Sequence, residues 1–218
     1  MDLDSIVEAA IAQMDQTNQA RETALSTSRS LTRQCANAIR AIHRQEWDTA
    51  RSLMGEAGVT AGELRARLGN HPALLHAGYT QDALKEYAEA RLTYAMVRGE
   101  ALPGPAEVAV EPAAYLNGLA EAASELRRFI LDGLRRGDVA TGERLLAAMD
   151  DVYSLLVTVD YPDAVTSGLR RTTDALRAVL ERTRGDLTAA LRQDQLMAAL
   201  AQVEARLRPS TVPDSGVS

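Results

Sequence analysis

The chain has 218 residues, 24 basic and 30 acidic side chains and a formal net charge of -6, a length that suits one large domain or two small ones. Hydrophobic residues make up 46% but aromatics only 4%, and the apolar share is mostly Ala and Leu, the strongest helix formers. This composition excludes a collagen-like, a disordered and a disulfide-rich chain.

Apolar residues recur at three- and four-residue spacing almost everywhere, and no useful alternating segment occurs, so the chain reads as helical throughout. A first helix is expected over about Asp4 to Arg44. Trp47 opens a second, to about Leu68, with a weak spot at Gly55–Gly62. Asn70-His71-Pro72 is a stop-and-restart signal before a third stretch reaching about Arg98. That stretch is expected to kink or restart near Gly78, with Thr80 as a good N-cap for its second part. Gly99 to Glu111, with Pro103, Gly104 and Pro105, is the clearest loop. Pro112 then suits the first turn of a fourth helix, to about Arg135. Gly137-Asp138 punctuates, a fifth helix covers about Ala140 to Val157, and Asp160-Tyr161-Pro162 turns the chain into a sixth. Gly185-Asp186 is read as ending the sixth and capping a seventh, to about Leu207. Residues 209–218 are rich in Ser, Pro and Gly and are expected to be a disordered tail. Residues 1–208 then form one all-α, seven-helix bundle domain, or a six-helix one if two helices fuse.

The single Cys35 excludes an internal disulfide and a Cys-based zinc site, and it falls among apolar positions. It suits a reducing cytoplasm. No apolar run approaches the roughly 20 residues that span a bilayer, and the acidic start MDLDSIVEAA lacks the basic region of a signal peptide. A cytoplasmic protein without a membrane partner is the expectation.

Two constellations carry candidate chemistry. At about 100° per residue, Arg29, Arg33, Arg40 and Arg44 fall on one face of the first helix, and Arg51 joins them if the helix continues past Trp47. His43 closes the row. From Asn18 to Gln45, five Arg stand against Glu22 alone, a local charge of +4 in an acidic chain. Such a row can track a phosphate backbone and release counterions as it binds; by periodicity alone a solvated face whose Arg stems shield the core is the plainer reading. The second constellation is acidic. Glu86 and Glu89 stand at i and i+3, with Asp82 beside them. Glu121 and Glu125 stand at i and i+4 with Asn117 and Asp132, so each pair shares a helix face. Two such pairs on adjacent helices can hold hard divalent cations through oxygen, and such ions serve phosphoryl chemistry. Surface acid is the plain alternative. His71 and His76 are scattered, and no Gly-rich phosphate loop, GxSxG or HExxH occurs.

The stretch Ala114-Tyr115-Leu116-Asn117-Gly118-Leu119-Ala120-Glu121-Ala122-Ala123-Ser124-Glu125-Leu126-Arg127-Arg128 resembles the signature helix of the translin family, which reads approximately YLxGxADLTGELxR before a Gly-Asp turn. Gly137-Asp138 stands at the matching distance. Gly168-Leu169-Arg170-Arg171 with Asp174, Leu176, Val179 and Glu181 is similar to the family's LR…D.L…VE helix. Lys85-Glu86-Tyr87-Ala88-Glu89-Ala90 is similar to the QEYVEA segment of translin-associated protein X.

The resemblance covers about residues 20 to 205 and implies a seven-helix fold, oligomers that are typically octamers, and a nucleic-acid-binding interior. It also implies a choice between two branches. Translin binds single-stranded RNA and DNA, whereas the X branch supplies a metal-dependent endoribonuclease. All four acidic positions of the X branch are acidic here, at Glu86, Glu89, Glu121 and Glu125. Glu121 stands where the signature has Asp, and Ser124 where Gly is usual, as in the translin branch. The reading is a Mg2+- or Mn2+-dependent endoribonuclease acting on single-stranded RNA. Glu86, Glu89, Glu121 and Glu125 are its metal and catalytic residues, and Arg29, Arg33, Arg40, His43 and Arg44 bind nucleic acid. The protein is expected to be a homo-oligomer, with room for a paralogous subunit. A non-catalytic single-stranded RNA- or DNA-binding scaffold is the alternative. So is an all-α nucleotide pyrophosphohydrolase of the MazG kind, which also uses ExxE pairs.

Overall fold

The computed structural model describes residues 2–207; the expected tail at 209–218 lies outside them. Among the described residues the structure is all-α, with no strand. Six long helices are α1 (Leu3–His43), α2 (Trp47–Leu68), α4 (Gly78–Arg98), α6 (Pro112–Leu134), α7 (Val139–Leu156) and α9 (Leu169–Leu207). Three single turns, α3 (Pro72–Leu75), α5 (Pro105–Val108) and α8 (Asp163–Thr166), sit in the connections. Prolines at the first positions of α3, α5 and α6 explain where those helices begin, since a ring fixes φ and its missing N–H costs nothing there.

Several boundaries differ from the sequence expectation. The chain turns between α1 and α2 at Gln45, which adopts a left-handed φ of 60°, so Arg51 belongs to α2 and leaves the arginine row. There its guanidinium donates to the Tyr94 hydroxyl at 3.3 Å. Thr80 does not cap α4, which starts earlier, at Gly78. Thr80 is fully buried instead, and its hydroxyl donates to the Leu74 carbonyl at 2.8 Å, tying α3 down. Gly185-Asp186 neither ends nor caps a helix, because α9 runs through it. Leu180 and Leu187 anchor the helix to the bundle on both sides of the glycine, and Asp186 pairs with Arg127 at 2.8 Å. That anchoring outweighs the ~1 kcal/mol that glycine costs a helix interior.

Contacts fix the helix directions. Gly118 lies against Lys85 and Glu89, and Trp47 packs on both Tyr94 and Phe129, so α4 and α6 run the same way. Thr172 bonds to Asn117, and Asp186 to Arg127, so α9 runs with α6. α7 opposes α9, since Gly142 meets Leu187 while Asp150 meets Arg184. α2 opposes α4, with Arg51 at Tyr94 and Gly58 at Tyr87. α6 is central and supplies Leu126 and Ile130 to one apolar cluster and Tyr115 and Ala122 to the other. Asn117 does not sit with the glutamates on an open face. It is buried, donates to the Ala113 and Thr166 carbonyls and accepts from Thr172, which locks α8 and α9 onto α6.

α1 and α9 overhang the bundle at opposite ends. Residues 2–19 and 192–207 are exposed throughout, roughly 27 and 24 Å of helix at 1.5 Å per residue. Both overhangs carry apolar side chains in water. Leu3, Ile6, Val7, Ile11 and Met14 line the first, and Leu196, Leu200, Val203 and Leu207 repeat on the second at the four-three-four spacing of a helix–helix seam.

Candidate functional site

The acidic site forms where α4 and α6 cross. Gly118 makes the crossing close: a Cβ built on it would lie 2.8 Å from the Lys85 carbonyl oxygen and 3.1 Å from the Glu89 nitrogen. The small face of α6 therefore lets Glu121, one turn on, approach the glutamates of α4. Glu86, Glu89 and Glu121 each bring a carboxylate oxygen within 4.8 Å of the others. Glu89 is buried, 7% exposed, and among the described residues no hydrogen bond or ion pair engages its carboxylate. Burial first, then the charges of Glu86, Glu121 and Glu125, push its carboxyl up to about 8. Burial also raises Glu86; Lys85 offsets part of that, while Glu121 and Asp82 add to it. α1 contributes Cys35 near the cluster, fully buried, whose thiol is pushed up to about 12 by burial and by the negative charge of Glu86 and Glu89. It is a packed core residue, as its apolar surroundings in sequence indicate.

The remaining residues near the cluster are engaged differently. Glu125 lies outside the triad of converging oxygens and meets His43 Nε2 at 2.6 Å. The His43 side chain is only 3% exposed, so it turns inward from the arginine row and bridges α1 to α6. Its Nδ1 is buried without a partner. Arg29, Arg33 and Arg40 are exposed along α1, and Arg44, also exposed, is its C-cap. Arg44 is held by Glu46 at 2.8 Å, and Arg40 leans on Asn37. Lys85 is the residue that the sequence reading passed over. Its Nζ lies 2.6 Å from one oxygen of Glu121, 2.7 Å from the other and 3.5 Å from Glu86. A signal existed: it is the chain's only lysine, directly before Glu86 and one turn before Glu89. Burial works against its charge, but the bond to Glu121 and the surrounding carboxylates hold its pKa above the ordinary value.

The donor set fits a hard divalent ion: three carboxylates, one deeply buried, with no competing nitrogen or sulfur ligand in the triad. Three carboxylates this close can hold one cation once their side chains adjust to it.

The crystal structure of AfC3PO superposes on this chain with a TM-score of 0.79 at 30% identity, covering 86% of this chain and 97% of that one. The chain belongs to the translin/C3PO family. The structure of an AfC3PO–duplex RNA complex is similar at the same identity and coverage, with a TM-score of 0.75. Apo-NeC3PO, at 17% identity over 84% of this chain and 96% of that one, shares the fold with a TM-score of 0.76. An uncharacterized protein of Methanocaldococcus jannaschii, MJ0175, is 31% identical over 186 residues, 84% of this chain and 82% of that protein. No family model matches the chain. The translin/C3PO fold accounts for the all-α architecture read from the sequence. The nine helices among the described residues exceed the expected seven because three single turns occur and two expected helices fuse into α9.

Proposed function

We propose that this translin/C3PO protein binds RNA and cleaves it, in the manner of the X branch, with Mg2+ or Mn2+ held by Glu86, Glu89 and Glu121. The observation that carries the reading is the convergence of three carboxylates from two helices around a buried glutamate. A divalent ion at such carboxylates lowers the pKa of water and offsets charge on a phosphoryl oxygen. In the metal-free protein, burial and the neighbouring carboxylates push the Glu89 carboxyl up to about 8, so an ion that binds there displaces its proton, and metal uptake should tighten as pH rises. Glu125, bound to His43, braces α1 against α6 beside the cluster. The exposed arginines of α1 supply sequence-tolerant phosphate contacts, and the solved complex of AfC3PO with duplex RNA supports RNA as the ligand. We also propose that the protein is a homo-oligomer of octamer size. The bare apolar seams on both overhangs support this, because contiguous apolar helix faces in water mark interaction surfaces.

One observation favours binding without cleavage. Lys85 already pairs with Glu121, and the His43 ring engages Glu125, so two of the four acidic positions are held by side chains of the protein itself. A single assay separates the readings. Short single-stranded and duplex RNA are incubated with Mg2+, Mn2+ or EDTA, and manganese uptake is followed by calorimetry. Metal-dependent cleavage is expected. RNA retention with no cleavage and no metal uptake would leave only the scaffold. In the same assay the Arg33→Glu/Arg40→Glu double variant should bind every RNA sequence at least tenfold more weakly and show a shallower salt dependence, since fewer counterions are released. Unchanged affinity would remove the arginine row from the interface.

A further inference from the structure

The chain uses arginine for 23 of its 24 basic side chains, and its one lysine stands in the carboxylate cluster. An ammonium is a compact point charge with three donors, whereas a guanidinium is a broad planar fork. At Lys85 the compactness matters. Nζ meets both oxygens of Glu121, at 2.6 and 2.7 Å, while staying 3.5 Å from Glu86. The side chain is 20% exposed, so much of this interaction is shielded from solvent. Glu121 is one of the three residues whose oxygens converge. The ammonium therefore already occupies, on the Glu121 side, the position of a cation.

We propose that Lys85 is a built-in counter-cation of this cluster, which competes with divalent metal for Glu121 and so sets how tightly the site holds it. The inference rests on the metal reading above. A divalent ion that takes an oxygen of Glu121 must draw it from Lys85, and the displaced ammonium stays tethered beside the ion. Like charges at that separation repel strongly in a partly buried site. The lysine thus keeps the metal-free cluster compensated, and it keeps metal binding weak and reversible. Lys85 acts through Glu121 and is a positioning residue.

The test measures metal binding directly. Calorimetric titration with Mn2+ compares the wild-type protein with Lys85→Met, Lys85→Gln and Lys85→Arg. Removal of the charge in the Met and Gln variants should tighten Mn2+ binding at least tenfold, and the Arg variant, which keeps the charge, should return towards wild type. A merely structural lysine would give the opposite result, because loosening the site weakens binding. A second measurement needs no variant. Reductive methylation with 13C-formaldehyde labels the only lysine, apart from the terminal amine, and preserves its charge. Its NMR signal should move as Mg2+ is added. Equal or weaker Mn2+ binding by Lys85→Met and Lys85→Gln overturns the proposal and leaves the metal site standing, as does a motionless lysine signal in a protein that takes up Mg2+. Uptake by Lys85→Met alone, with none by wild type, supports it in its strongest form. No uptake by any of the proteins overturns the metal reading and this inference with it.

Discussion

Gly118→Val should lower the urea midpoint steeply, and Gly118→Ala should lower it too, although alanine is the better helix former. Two effects oppose each other at this position. Helix propensity alone favours Ala over Gly by roughly 1 kcal/mol in a helix interior. Against it stands the contact a Cβ would make: 2.8 Å to the Lys85 carbonyl oxygen, 3.1 Å to the Ala88 Cβ and 3.1 Å to the Glu89 nitrogen. Two of these neighbours are helix backbone, which cannot swing aside as a side chain can. α4 and α6 must therefore separate, at an overpacking cost of about 1–3 kcal/mol for one methyl group. With two rigid backbone neighbours the clash outweighs propensity, and alanine should destabilise by up to about 2 kcal/mol on balance. Valine adds two more carbons at the same crossing, so its cost should exceed 3 kcal/mol, on the order of the larger core substitutions. The site should suffer beyond the fold. Glu121 rides on α6, while Glu86 and Glu89 ride on α4, so separation spreads the triad and Mn2+ affinity should fall even in Gly118→Ala protein that is fully folded. A rise in the urea midpoint for Gly118→Ala, the propensity result, would show that the helices do not approach this closely.

Gly118 also marks what could be read from the chain before its fold. The starts of α3 and α6 were legible because Pro72 and Pro112 act locally, through their own φ and missing N–H. The face-sharing of Glu86 with Glu89 was legible for the same reason: it follows from helix geometry alone. Local signals failed where packing overrode them. Gly185-Asp186 has the composition of a helix stop, yet Leu180 and Leu187 carry the helix across it. Thr80 has the chemistry of an N-cap, but a carbonyl of α3 claims its hydroxyl. The partners of the site were not legible at all. That Glu125 meets His43, and Glu121 meets Lys85, depends on how α1, α4 and α6 are rotated about their axes. The periodicity of each helix names its inward face only to within tens of degrees, which is too coarse to choose between Glu121 and Glu125 as the third carboxylate of the triad.

Glu89→Gln should abolish RNA cleavage and, without metal, make the protein more stable at alkaline pH. The buried Glu89 carboxyl is pushed from its ordinary value of 4.5 to about 8, by burial first and by Glu86, Glu121 and Glu125 next. The folded protein thus keeps a proton that the unfolded chain gives up above about pH 4.5. Below that pH both states are protonated, and Glu89 imposes no penalty on folding. As pH rises from about 4.5 to 8 the unfolded state alone ionises, so stability falls with pH; above 8 both states are ionised and the loss levels off. A shift from 4.5 to about 8 corresponds to a loss on the order of 3–5 kcal/mol at the alkaline end. Glutamine keeps the shape without the titration. The melting temperatures of wild type and Glu89→Gln should therefore lie close together at pH 5 and diverge by roughly 10 °C at pH 8.5, at about 2–4 °C per kcal/mol for a chain of this size. Mg2+ should reverse the order. An ion that binds the folded wild type stabilises it by mass action, whereas the variant lacks the buried carboxylate and should gain little. Parallel melting curves across this pH range would mean that Glu89 is already ionised in the folded protein at neutral pH and that its burial costs the fold nothing. Divergent curves with full cleavage by Glu89→Gln would keep the buried acid but place the chemistry elsewhere. The expected combination, a variant that is more stable and inactive, identifies a carboxylate kept at a cost to the fold for what it does at the site.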